Sequence, residues 1–220
     1  MTSTFRVIVL IAATLVLPGC IIKVNADSYG GDIDRVFGSI EIDDGQQVGN
    51  IDSVNGSIRL GDESAAEDVE TVNGSIRAGR GVRVDSLETV NGSIRTGRGL
   101  RAAGSLETIN GRIELREGST VERDVSTVNG SIELDGTTVR GSIETVNGNV
   151  RLEASTVEGD IVFEDNDGGG WGWFRNKDEP RLTIDDRSEV HGTIILYRAV
   201  ELRIEEGARI GEIERRYDAR

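Results

Sequence analysis

Thr71-Val72-Asn73-Gly74-Ser75-Ile76-Arg77 and Thr89-Val90-Asn91-Gly92-Ser93-Ile94-Arg95 are the same seven residues, 18 positions apart. The Val/Ile-Asn-Gly core of this unit occurs six times, at Asn55, Asn73, Asn91, Asn110, Asn129 and Asn147, with spacings of 18, 18, 19, 19 and 18. A period this short and regular marks a stacked repeat, in which each unit leans on the next. The register extends outward in both directions. Phe37-Gly38-Ser39-Ile40-Glu41 fits the unit 18 residues before Asn55, with Phe in the Asn place. Downstream, the signature seen from Ile132 to Ile143 returns in Leu152 to Ile161, in Leu182 to Ile194 and in Leu202 to Ile213. Between Val36 and Ile213 this implies about nine coils of 18–20 residues.

The units read as strands. Ile, Val, Leu and Thr alternate with charged residues, and Gly breaks each run. Pro occurs only at Pro18 and Pro180, as suits strands paired on both edges, where each N–H must donate. Two folds fit. Asn-Gly between alternating runs signals a type I′ hairpin, so a meander is one. A single-stranded parallel β-helix is the other, with one repeat per coil. The columns favour the β-helix: Ser53, Thr71, Thr89, Thr108, Thr127 and Thr145 form one, and the six Asn form another. Identical amides in register can bond up and down a stack, whereas a meander gains nothing from repeating them. Asn followed by Gly also suits a corner with left-handed backbone. Ile132, Val139, Ile143 and Val146 are 7, 4 and 3 apart, which departs from a hexapeptide rhythm and favours an irregular right-handed coil.

Residues 1–19 read as a lipoprotein signal peptide. Arg6 precedes the apolar run Val7 to Val16, which is too short to span a bilayer. The run ends in Leu17-Pro18-Gly19-Cys20, which resembles a bacterial lipobox with Cys20 as the lipidated residue. The alternative is an ordinary signal peptide with an incidental Cys. Several acyl chains on Cys20 would hold the protein at a membrane. Ile21 after the Cys resembles the pattern sent to the outer membrane of Gram-negative envelopes. Residues 20–33 then form a tether and cap, 34–163 the repeats, 164–180 an insertion and 181–220 the last coils with a charged end.

The formal net charge is −14, which argues against nucleic acid and against adsorption to anionic lipid. The Thr-Val-Asn-Gly-Ser-Ile units resemble the adhesin-like, or toast-rack, β-helix domains of bacterial envelope proteins, over residues 34–163. Val190-His191-Gly192-Thr193-Ile194 and Ile210-Gly211-Glu212-Ile213 are similar to bactofilin units, and that resemblance implies polymerisation.

No catalytic motif stands out, and no cofactor or metal is expected. His191 is the only histidine and Cys20 the only cysteine; His191 falls where other coils carry Arg140 and Glu158, which reads as surface. Asp34, Asp52, Glu70, Glu88, Glu107 and Glu144 form a carboxylate column, broken by Ser126. Its spacing matches a retaining glycosidase pair, but any ladder on a β-helix has that spacing. A solvated face screened by salt and nearby arginines is the plainer reading. Arg59, Arg77, Arg95 and Arg151 form a basic column with Glu114 and Glu133 between them, read first as charge balance and second as a polyanion contact. Asp165-Asn166-Asp167-Gly168 fails as a calcium loop, because Phe174 falls where the bidentate Glu belongs. The Thr column lacks the Thr-x-Thr face of an ice-binding array.

The segment from Glu164 to Pro180 breaks the repeat. It is Gly-rich and acidic and holds Trp171, Trp173 and Phe174, candidate partner contacts; the alternative is that they cover a flank of the solenoid. Taken together, the sequence points to a lipid-anchored β-helix of the bacterial envelope. Its expected role is a non-catalytic binding or adhesin-like module for an envelope protein or glycan. A self-associating scaffold is the alternative, and a polysaccharide-active enzyme ranks lower.

Overall fold

The computed structural model describes residues 22–24, 30–165 and 179–217. Local alternation sets the strands. In Asp68–Asn73, Val69 and Thr71 are buried while Glu70 and Val72 face outward; in Ile76–Ala78, Ile76 and Ala78 point in and Arg77 points out. The two-residue strand Arg83–Val84 completes that coil with Val84 inside. Each coil therefore offers three short apolar edges that no single coil can bury by itself. Stacking buries them against equivalent residues of the next coil.

The result is a parallel β-helix of about nine turns, with no helix among the described residues. Sheet I contains Ile76–Ala78 and nine other strands, sheet II contains Asp68–Asn73 and nine others, and sheet III contains Arg83–Val84 and six others. Pairing is parallel, between residues one coil apart, as in Ile76 with Ile94, Thr71 with Thr89, and Arg83 with Arg101. A hairpin meander would pair antiparallel, so that alternative falls. The core is built of columns: Val69, Leu87, Leu106, Val125, Ile143, Ile161 and Ile194 stack in sheet II, each at 0 % exposure. Each such side chain stabilises the fold by roughly 1.5–3 kcal/mol relative to exposure.

Ile22–Val24 pairs in register with Ile40–Ile42 in sheet I. The Asn-Gly corner, which joins sheet II to sheet I, differs from expectation. None of the six Asn, nor the Gly after each, has positive φ; Glu63 and Ala154 are the described non-Gly residues that do. Glycine is required there by close approach. A Cβ on Gly74, Gly92, Gly111 or Gly130 would strike the carbonyl oxygen of the corner Gly one coil below.

The insertion leaves sheet II after Phe163 and re-enters sheet I at Arg181, so it replaces one Asn-Gly corner. Leu182 stacks on Val150, and Ile184 on Leu152. The repeat therefore resumes two residues out of the register that the leucines suggested. Beyond Thr145 the inward Thr column continues as Phe163 and then Leu196. The Thr hydroxyls reach back to corner carbonyls: Thr71 donates to Gly56 O at 3.0 Å, Thr89 to Gly74 O at 2.9 Å and Thr108 to Gly92 O at 3.0 Å. No Asn-Gly corner follows Asn147, and Phe163 and Leu196 fill the position with apolar volume.

Candidate functional site

The Asn ladder is continuous. Asn73, Asn91, Asn110, Asn129 and Asn147 each donate from Nδ2 to the Oδ1 of the Asn one coil below, at 3.0–3.1 Å. All amide dipoles therefore point the same way, leaving an acceptor at the Asn147 end. Arg198 supplies the donor: its Nη1 lies 2.6 Å from Asn147 Oδ1 and 3.1 Å from Val146 O. Arg198 lies 51 residues later in the chain, so its side chain joins two coils that are not sequence neighbours. The cation sits at the negative end of the aligned dipoles, the arrangement that stabilises a helix C-terminus. The ladder reads as structural.

The carboxylate column lies on the outer face of sheet II. Asp34, Asp52, Glu70, Glu88 and Glu107 pair in unbroken register, Ser126 follows, and Glu144 resumes the column. Coil spacing puts neighbours about 4.8 Å apart. Asp52, Glu70, Glu88, Glu107 and Glu144 form no ion pair with an arginine among the described residues. Burial, then Glu107, Glu70 and Asp68, push the Glu88 carboxyl up to about 7. Burial, then Asp52, raises Glu70; burial, then Asp34, raises Asp52; burial, then Asp124, raises Glu144. The solvated, arginine-screened face expected from the sequence is instead a half-buried one. Valines on the same face explain this: Val54, Val72 and Val90 stand two residues after Asp52, Glu70 and Glu88, so the carboxylates are packed beside apolar side chains. The described residues gather no cluster of three or more metal-ligating groups.

The basic column is part of something larger. Arg59, Arg77 and Arg95 stack on the outer face of sheet I, and Arg83 and Arg101 stack on sheet III. Arg80 and Arg98 occupy the corner between the two sheets, bonded through Gly81 N to Arg98 O at 2.8 Å. Two successive coils thus present Arg77, Arg80, Arg83 and Arg95, Arg98, Arg101, all exposed. A shallow groove of about 770 Å³ runs beside the sheet I column and another of about 640 Å³ beside Arg83 and Arg101. Arg80 pairs with Asp62 at 2.6 Å, Arg98 with Glu117 at 3.4 Å and Arg95 with Glu114 at 3.5 Å. The Arg80 backbone N–H and then its guanidinium hold the Asp62 carboxyl below the usual range. Arg59, Arg77, Arg83 and Arg101 form no ion pair among the described residues. The signal was present in the sequence, as Arg77-Ala78-Gly79-Arg80-Gly81-Val82-Arg83 and Arg95-Thr96-Gly97-Arg98-Gly99-Leu100-Arg101. A column at one-coil spacing reveals the first Arg of each triplet, whereas the other two lie around the corner between sheets I and III.

Of the residues singled out from the sequence, Cys20, Trp171, Trp173 and Phe174 lie outside the described residues. Arg151 is separated from the array and pairs with Glu153. His191 is at the surface, its Nε2 3.3 Å from Glu189. The Thr column is buried, at 3 % exposure for Thr71, Thr108 and Thr127, so it presents no external face. Comparisons of the chain with protein-family models, with curated proteins and with solved structures find no match.

Proposed function

We propose that this protein is a lipid-anchored module of the bacterial envelope, non-catalytic, that binds an envelope glycan or protein on the outside of its solenoid. One observation carries the reading: like charges are stacked in register on outer faces, where the fold has no use for them. Directly opposed like charges are destabilising by several tenths of a kcal/mol per pair. A ligand of opposite charge recovers that energy on binding. The Leu17-Pro18-Gly19-Cys20 run supports the anchor, and the strand at Ile22–Val24 would then root the solenoid close to the lipid.

The test uses the full chain and its Cys20→Ser variant. Intact mass should show acyl chains on the first and not on the second, and only the first should partition with membranes. The folded, anchored chain should then retain purified envelope glycan or envelope protein saturably. Loss of membrane partitioning in neither variant removes the anchor. Retention of nothing removes the binding role, and product formation from a retained glycan makes the protein an enzyme.

A second reading, self-association into a scaffold, is favoured by the last coil. Leu202, Ile204, Ile210 and Ile213 are partly exposed, while Leu182, Ile184, Val190 and Ile194 beneath them are at 0–2 %. Sedimentation over a wide concentration range separates the readings: growth of large species supports a scaffold, and a persistent elongated monomer rejects it.

A further inference from the structure

We infer that the arginine array at residues 77–101 is a binding site for an acidic glycan, with Arg77, Arg83, Arg95 and Arg101 taking its anionic groups. The inference rests on the binding-module reading and names its ligand class. Guanidinium groups form paired, charge-assisted bonds with carboxylates and with phosphate or sulfate esters. The array places them in two rows about 4.8 Å apart, one coil spacing, and wraps them around a corner with an open groove on each side. Arg77, Arg83 and Arg101 form no ion pair among the described residues, and Arg95 meets Glu114 only at 3.5 Å, so these four guanidinium groups can turn to an anion.

The surroundings select the kind of polyanion. No aromatic residue lines either groove, and single-stranded nucleic acid draws its affinity from stacking on aromatics. Carboxylates bound the array at both ends along the solenoid: Glu41, Asp43 and Asp44 on one side, Glu114, Glu117 and Glu122 on the other. A polymer with a charge on every unit would run from the arginines onto those carboxylates. A glycan with spaced anionic groups would not, and its hydroxyls can donate to the flanking acids. Ser75 and Ser93 stand two residues before Arg77 and Arg95 on the same outer face. Each accepts a backbone N–H of the next coil at 3.3 Å, which leaves its own O–H free to donate.

The experiment is calorimetric titration of the full chain in non-ionic detergent. The probes are a hyaluronan oligosaccharide, with a carboxylate on every second sugar, a kappa-carrageenan oligosaccharide, with a sulfate ester on every second sugar, neutral dextran and oligo-dT. Either anionic oligosaccharide should bind, more weakly as salt rises, while dextran and oligo-dT should not. Preference for the hyaluronan fragment assigns carboxylates as the anionic groups, and preference for the carrageenan fragment assigns esters. Arg77→Gln/Arg95→Gln should weaken binding about 100-fold, tenfold for each lost charge-assisted contact. Arg151→Gln, in the same column outside the array, should leave affinity unchanged. All three substitutions are at exposed positions, and thermal melts check that each variant folds. Binding equal in the double variant and the parent, equal binding of oligo-dT, or binding of neither oligosaccharide overturns the proposal. Retention of another envelope component by the same protein would leave the binding-module reading standing.

Discussion

The Asn-Gly corner before the insertion and the same corner after it differ in kind. From Asn55 to Asn129 the corners repeat one another, and the amide ladder runs on to Asn147. Amides bond in line, glycines nest against carbonyls, and the hydroxyls of Thr71, Thr89, Thr108 and Thr127 reach back to the same carbonyls. After the insertion the corner is Tyr197-Arg198-Ala199-Val200, one residue longer, with no Asn and no Gly. Its inner position is Leu196 in place of Thr. A ladder exists only while each rung has an identical neighbour, so one interruption ends the need for Asn, Gly and Thr together. In the later corner a single long side chain, Arg198, reaches back to the last rung.

Substitutions break that contrast in order of size. Gly111→Ala puts a Cβ against the Gly92 carbonyl and should cost more than ~3 kcal/mol, because buried backbone has little room to yield. Ala199→Gly, in the later corner, should change stability by less than ~1 kcal/mol. Denaturant unfolding of the two variants checks this, and equal losses would mean the corners are packed alike. Asn91→Ala removes two ladder bonds and should cost about 1–2 kcal/mol. Asn55→Ala, at the end of the ladder, removes one and should cost about half as much. Identical melts for the two would show that the rungs act independently of position.

Arg198→Ala leaves the acceptor end of the ladder uncapped. A loss of about 1–2 kcal/mol is expected for a hydrogen bond to a charged group, and hydrogen exchange should speed up in the coils from Arg181 onward more than in those before Glu164. Uniform exchange would mean that Arg198 does not couple the two regions.

The smallest effect is electrostatic. The Glu88 carboxyl is near 7 in the folded state against 4.5 for the free group. The folded protein therefore holds this proton more tightly than the unfolded chain. The cost of ionising Glu88 is absent below about pH 4.5, grows as pH rises and is complete above about 7. Glu88→Gln should raise the melting temperature at pH 8 and change it little at pH 4. The gain should be no more than ~1 kcal/mol, since the group is partly solvated. An equal shift at both pH values would assign the effect to packing.

Much of this was legible in advance. The columns of Thr, Asn and Glu were readable because a one-coil period turns sequence identity into spatial contact. The groove-side partners of Arg77 were not legible from its own column, because Arg80 and Arg83 lie around a corner whose path a repeat count does not reveal. The reason for glycine at the corner also escaped: Gly74 and its equivalents signalled backbone freedom, whereas the structure assigns them to close approach.

The sequence by itself determined the period, the strands, the stacking and the columns that touch, because side-chain alternation and an 18-residue repeat leave few other ways to bury the apolar residues. Only the tertiary structure decided which columns face inward, how deeply the carboxylates sit, where the insertion leaves the solenoid and what Arg198 reaches. Those depend on the path of the chain between strands, and distances between residues that share no column are set there.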